Sequence, residues 1–315
     1  MIKLLILTLL ALGYQTASAQ LVTESFGSGD NAFTMEFVTI GNPGNVADTT
    51  GSSNHPGSVA YTYNLGKYEV SRDQIDKANA AGSLGITLQD MSSYGGNGVN
   101  KPATGVSWYE AATYVNWLNT STGGTAAYKF SGSTFQLWSS TDAGYNANNM
   151  FRNSLAKYVI ASSDEWYKGA FGNLNGTWND YSTGSDSKPT PVASGTAAGT
   201  AVYGHSSATG PADITNAGGL SPYGTMGQGG NAFELNETAF DGSNSTADET
   251  RDFRGGAWNS FDTTSIVGNR NRFSLDPTIE SYFIGFRVAS VPEPSAVSLL
   301  AVGLGGLVML RRRRS

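Results

Sequence analysis

An α+β domain, rich in loops and with little regular secondary structure, is the fold class that the middle of this 315-residue chain predicts. Three observations carry that expectation. Glycine fills 40 positions while charged residues make up only 14%, a balance that favours turns and long irregular connections. Three Ser-x-x-Glu/Gln signatures mark helix starts, each opening a short helical pattern. Stretches with strand character are brief and separated by turn residues.

Taken in order, Phe37-Val-Thr-Ile40 has strand character, and Gly41-Asn-Pro-Gly44 and Thr49–Ser53 follow as turn-rich loop. Tyr61-Thr-Tyr-Asn-Leu65 alternates as a strand does, and Gly66-Lys-Tyr-Glu-Val70 is expected to continue it. Ser71-x-x-Gln74, Ser107-x-x-Glu110 and Ser162-x-x-Glu165 fit the capping box, in which the hydroxyl accepts from an orphan N–H and the Glu or Gln side chain reaches back. Behind the second, Trp108, Ala111, Val115 and Leu118 recur at helical spacing; behind the third, Trp166 and Ala170 share a face. Residues 172–222 are loop-like, and the last third consists of short segments between glycines. No internal repeat or linker divides the chain, so residues 20–290 are expected to form one domain.

The two ends have a different character. Lys3, an apolar run from Leu4 to Leu12 and Ala17-Ser-Ala19 make a secretory signal, with cleavage expected after Ala19 and export through the Sec translocon. At the other end, Pro292-Glu293-Pro294 precedes an apolar run from Ala296 to Leu310 and the cluster Arg311–Arg314. As a helix the run is roughly 22 Å long at about 1.5 Å per residue. That is short against a bilayer core of about 30 Å, a gap that snorkelling arginines can close. The arginines would stay cytoplasmic and leave the domain outside. This tail, residues 291–315, resembles a PEP-CTERM sorting signal. The resemblance implies transient anchoring in the inner membrane, cutting near the Pro-Glu-Pro by an exosortase-type protease, and delivery to the cell surface or extracellular matrix. An ordinary single-span anchor is the alternative.

Without residues 1–19 and the tail, about 270 residues remain, with 14 basic and 24 acidic side chains and a net charge near −10. So acidic a surface excludes nucleic acid as a partner. The absence of cysteine excludes thiolate catalysis, disulfides and cysteine metal sites, and two histidines, His55 and His205, are too few for a histidine-based one.

Six segments resemble, in order, motifs of the formylglycine-generating enzyme (sulfatase-modifying factor) family. They are Gly66–Ser71, Pro102–Ala111, Ile160–Trp166, Tyr223–Glu234 (YGTMGQGGNAFE), Arg254-Gly-Gly-Ala-Trp258 and Gly285-Phe-Arg-Val288. The resemblance implies a fold related to that of C-type lectins. It also implies a copper site of two cysteines after the Arg-Gly-Gly-aromatic segment. Those places hold Ser260 and Ser265, and a neutral hydroxyl is a poor substitute for thiolate on copper(I). No copper is therefore expected, nor the histidine-bound iron of related sulfoxide synthases. A nucleophilic serine lacks a neighbouring base in sequence, and Asp164, Glu165, Glu234 and Glu237 are better read as structural carboxylates than as a glycosidase pair.

The family's calcium loop, carried over, implies carbonyl ligands at Gly230 and Ala232 and a carboxylate at Glu234, with one upstream side-chain ligand replaced by Gly227; a purely structural turn is the alternative. The old active-site groove would be lined by Trp258, Asn259, Asn269, Arg270 and Arg272. Aromatic and Asn/Arg groups suit sugar or peptide recognition, unless these residues knit the core. The functional expectation is an exported, non-catalytic binding or structural protein, associated with extracellular polysaccharide or with another surface protein. A divergent oxidase or hydrolase of the same family is the alternative.

Overall fold

The computed structural model describes residues 20–50, 54, 56–260 and 272–292. Ala19, His55, Ser265, Asn269, Arg270, Glu293 and Pro294 lie outside these residues. Along the chain run β1 (Leu21–Phe26), β2 (Phe33–Ile40), β3 (Tyr63–Gly66), α1 (Arg72–Gly82) and α2 (Trp108–Ser121). Next come β4 (Lys129–Ser131), β5 (Thr134–Gln136), β6 (Tyr158–Ile160), α3 (Ser163–Phe171), β7 (Thr190–Pro191) and β8 (Thr200–Ala201). The chain closes with β9 (Phe233–Ala239), β10 (Arg251–Arg254), β11 (Phe273–Leu275), β12 (Ile284–Phe286) and β13 (Val288–Ser290).

An antiparallel sheet of five strands has the order β1-β2-β3-β13-β6. A second sheet has the order β11-β10-β9-β12, with β12 parallel to β9. One residue, Arg287, separates β12 from β13, so the chain passes from one sheet to the other across it. The strand expected to continue through residue 70 stops at Gly66. Beyond it the backbone turns, and Glu69 is drawn into the interior by partners described below.

All three capping boxes form. Ser71, Ser107 and Ser162 each accept from the N–H three residues on, and Gln74, Glu110 and Glu165 each return a bond to the cap N–H. Helix α2 buries Trp108, Ala111, Val115 and Leu118 against the core and packs on β6. By area, each large apolar side chain so buried contributes about 1.5–3 kcal/mol. Trp108 sits among Tyr128, Phe135 and Phe151, with centroids 5.1, 5.2 and 6.1 Å away. The Arg251 guanidinium lies 4.4 Å over Trp108 and 4.0 Å over Phe151. Burial lowers its pKa to about 10, and the ring faces supply much of the attraction that holds the cation there.

A second buried arginine joins helix to sheet. Arg152 forks onto Glu165 at 3.0 Å through each terminal nitrogen, and its Nε donates to Glu237 at 2.8 Å. Tyr61 donates to Glu165 at 2.5 Å; Tyr128 and Asn149 donate to Glu237 at 2.7 and 2.6 Å. Burial alone would raise the Glu165 carboxyl, but the Arg152 charge and these hydrogen bonds outweigh it and hold the carboxyl below its ordinary range. Glu165 is thus both the capping-box residue of α3 and one arm of an interior ion network.

Removing the cation leaves two buried carboxylates without compensation, at a cost of about 3–5 kcal/mol. Removing only the α3 cap hydroxyl costs about 1 kcal/mol. Arg152→Met is therefore expected to destabilise the domain several-fold more than Ser162→Ala in urea unfolding; equal costs would mean that the network is not a main support.

Candidate functional site

The turn leading into β9 is built for close approach. Gly230 has φ +135°, and a Cβ there would lie 2.3 Å from the Val202 carbonyl oxygen, so a side chain does not fit. Asn231 follows at φ +64°, and its amide spans two segments: Nδ2 donates to Glu69 Oε2 at 2.6 Å and Oδ1 accepts from Ala212 N at 2.8 Å. The Ala232 N–H donates to Glu69 Oε1 at 3.1 Å. Glu69, not Glu234, is therefore the carboxylate that organises this loop.

Glu234 faces the other way and is fully buried. Its Oε2 accepts from Arg287 Nε at 2.5 Å and from the Trp166 indole at 2.7 Å, while Oε1 accepts from Arg287 Nη2 at 2.6 Å. Calcium binding through Glu234 would require displacing that guanidinium. Among the described residues no group of three or more acidic or histidine side chains could hold a metal ion. In this structure the Gly-Asn-Ala-Phe-Glu segment is a turn held by Glu69 on one side and by Arg287 and Trp166 on the other.

Glu69 and Glu234 share one cation. Burial raises the Glu69 pKa well above its ordinary value of 4.5, and the Glu234 charge pushes it further. Arg287, together with Asn231 and Ala232, pulls the other way without cancelling the effect. Burial and the neighbouring Glu234 charge thus favour the neutral form of Glu69.

Ser260 is 5% exposed. Its Oγ accepts from Ala257 N at 2.9 Å and its carbonyl accepts from Gly204 N at 2.9 Å, so it closes a turn. Trp258, expected to line a groove, is fully buried, with its ring 5.1 Å from Phe283 and its indole N–H on the Ser207 carbonyl at 3.1 Å. The two glycines before it let the strand dive inward, and the ring fills the space beneath. Asn259 is half-buried and donates to Ser207 Oγ at 3.2 Å. Arg272 is also half-buried, stacked 4.8 Å over Phe240. The structure thus brings Trp258, Asn259 and Ser260 together. It places Arg272 beside the end of β9 instead.

Residues that the sequence did not single out complete the surface around Trp258. His205 N donates to the Trp258 carbonyl at 2.9 Å, which brings the 204–207 loop alongside. Tyr94 packs on Tyr282 at a tilt, with centroids 4.8 Å apart, and meets Phe283 edge-on at 5.7 Å. A second aromatic group joins β9, β10 and β11: Phe233, Phe253 and Phe273 lie 5.3–5.8 Å apart. Phe233 connects the two groups, since its N–H donates to Phe283 O at 2.9 Å. The result is a run of ring contacts from Tyr282 through Tyr94 and Phe283 to Trp258, with Ser207 and His205 bonded to Trp258 and Asn259. Tyr94 and Tyr282 are 188 residues apart in sequence (282 − 94), so no local pattern could have paired them.

Comparison with known proteins supports this architecture. Residues 31–291 match the family described as the sulfatase-modifying factor enzyme 1-like domain, and residues 290–314 match the PEP-CTERM protein-sorting motif. No curated protein sequence matches the chain. Among solved structures, Treponema denticola variable protein 1 is similar at 18% identity, with a TM-score of 0.58 over 86% of this chain and 99% of that one. PvdO from Pseudomonas aeruginosa is similar at 17% identity and a TM-score of 0.55, over 85% and 98% of the two chains. CarF is similar at 16% and 0.53, over 87% and 98%. These likenesses establish the loop-rich α+β fold.

Because the folded-state pKa of Glu69 is raised, its stabilising contribution is full below pH 4.5 and is lost as pH climbs through the raised value. Glutamine does not titrate. Melting temperatures of the parent and Glu69→Gln between pH 4.5 and 8 are therefore expected to shift in the variant's favour as pH rises. A difference independent of pH would mean that Glu69 is ionised throughout.

Proposed function

Because the chain belongs to the sulfatase-modifying factor enzyme 1-like domain family and carries a PEP-CTERM sorting motif, we propose that it is an exported, surface-sorted protein that binds extracellular polysaccharide without catalysis. The motif implies processing by an exosortase. The observation that carries the binding reading is the aromatic cluster around Trp258, in which Tyr282 packs on Tyr94, Tyr94 on Phe283 and Phe283 on Trp258, with Asn259, next to Trp258 in sequence, bonded to Ser207. Ring faces cover the apolar side of a sugar, and amide and hydroxyl groups give direction.

The catalytic alternative loses support at three points. The chain contains no cysteine. Ser260 Oγ is committed to its own turn. The buried carboxylates Glu165, Glu234 and Glu237 are each held by an arginine. The acidic net charge disfavours anionic polymers, so a neutral glycan is the preferred ligand class.

The test is binding of the mature domain, residues 20–291, to polysaccharide from its own host. Saturable binding is expected, unaffected by a chelator, since Glu234 is taken by Arg287. Tyr282→Ala is expected to cost roughly 1 kcal/mol, about fivefold in Kd. Absence of binding would turn attention to a protein partner on the same cluster, and tight copper uptake or turnover would restore the catalytic alternative.

A further inference from the structure

A second concave surface, sharing no residue with the Trp258 cluster, lies between α2 and the β4–β5 hairpin. It encloses about 520 Å³, which falls within the roughly 300–1,000 Å³ of ordinary ligand pockets.

The alternation of the hairpin sets one wall. Phe130 and Phe135 stand opposite each other in register, so their rings share one side of the ribbon and lie 5.7 Å apart. Phe135 is buried against Trp108 and Phe151, while Phe130 stays half-buried at the groove. Tyr109, in the first turn of α2, meets the same pair, 5.9 Å from Phe135 and 6.3 Å from Phe130. Leu84, from the loop after α1, adds an aliphatic wall.

The walls are tied to one another. Asn116 on α2 donates to Tyr128 O and accepts from Tyr128 N, both at 2.8 Å, which fastens the entry of the hairpin to the helix. Glu110 accepts from Ser107 N at 2.8 Å and from Thr87 N at 3.1 Å, which fastens the loop that carries Leu84. Asn79 holds Ile86 of that loop in the same two-way manner, at 2.7 and 3.1 Å. The groove is therefore formed before any ligand arrives.

The polar groups left over in it are hydroxyls. Tyr109 Oη and Ser133 Oγ have no hydrogen-bond partner among the described residues. Thr113 Oγ1 donates to Tyr109 O at 2.9 Å and keeps its lone pairs. Hydroxyls both give and accept, as those of a sugar do, and ring and aliphatic walls suit the apolar face of a pyranose. The lining holds no lysine, arginine or histidine. An anion would thus meet the Glu110 charge with no cation to offset it.

We propose that this groove is a binding site for a neutral glycan, separate from the Trp258 cluster. The two sites stand on different residues, so either reading can fail alone.

The test uses the full chain in lipid nanodiscs. With no native cysteine, an environment-sensitive fluorophore is placed singly at Thr134→Cys, beside the groove, or at Glu280→Cys, beside Tyr282. The probes are tetrasaccharides of glucose, of mannose and of galactose, with tetragalacturonate as the anionic counterpart. A saturable change at position 134 is expected with at least one neutral tetrasaccharide and none with tetragalacturonate. Tyr109→Phe is expected to weaken it about fivefold, the worth of one hydrogen bond. Ser133→Trp, at an exposed hairpin turn, is expected to fill the groove and abolish the change with the melting temperature unaltered. No response at 134 to any neutral probe at millimolar concentration, an equal response to tetragalacturonate, or a response that survives Ser133→Trp would each overturn the proposal. A response at 280 alone would support the Trp258 reading and overturn this one. A response at 134 to an apolar hexapeptide but to no sugar would give the groove to a protein partner instead.

Discussion

Arg287 is the group on which the two sheets depend. It stands alone between β12 and β13 and is fully buried, with every guanidinium nitrogen bonded. Nε and Nη2 bind Glu234 on β9; Nη1 takes the Gly66 carbonyl at the end of β3 at 2.7 Å; Nη2 also takes the Met226 carbonyl at 2.8 Å. One planar cation thus fixes a strand from each sheet and the loop ahead of the Asn231 turn. A lysine, with a single nitrogen, could not meet these acceptors in their different directions. The raised pKa of Glu69 comes first from its burial and then from the Glu234 charge, which the pull of Arg287 does not cancel.

The same economy explains the charge of the surface. Arg152, Arg251, Arg254 and Arg287 lie in the interior, bound to carboxylates, carbonyls or ring faces. None of the arginines among the described residues is classed as exposed. Their positive charge is spent inside, while much of the acidic excess stays outside. A chain with few charged residues can in this way be both strongly acidic in net charge and held together by ions.

What was legible in the sequence was what is local. The Ser-x-x-Glu/Gln signatures fixed three helix starts because both partners of a capping box lie within four residues. The tail was legible because its three parts are contiguous. The ordered family segments foretold the fold class. Long-range pairings left no such trace: Arg152 meets Glu237 across 85 residues, and Asn231 meets Glu69 across 162. From sequence Trp258 reads as a groove residue, because an aromatic beside Asn resembles a binding surface. Only the fold shows its ring turned inward onto Phe283, with Tyr94 and Tyr282 at the surface. The bond from Arg287 to Glu234 spans 53 residues and has no local pattern either.

The position of β13 has a consequence for the order of events. The last strand to be made is not added at an edge. It is inserted between β3 and β6, pairing with both. A chain that has emerged only as far as residue 287 holds an open slot there, lined by two rows of unpaired backbone groups, a state prone to mispairing. The central sheet closes only when residue 291 has emerged, and the sorting motif begins at the same place, at residue 290. Completion of the fold and the start of the sorting motif thereby fall on the same few residues.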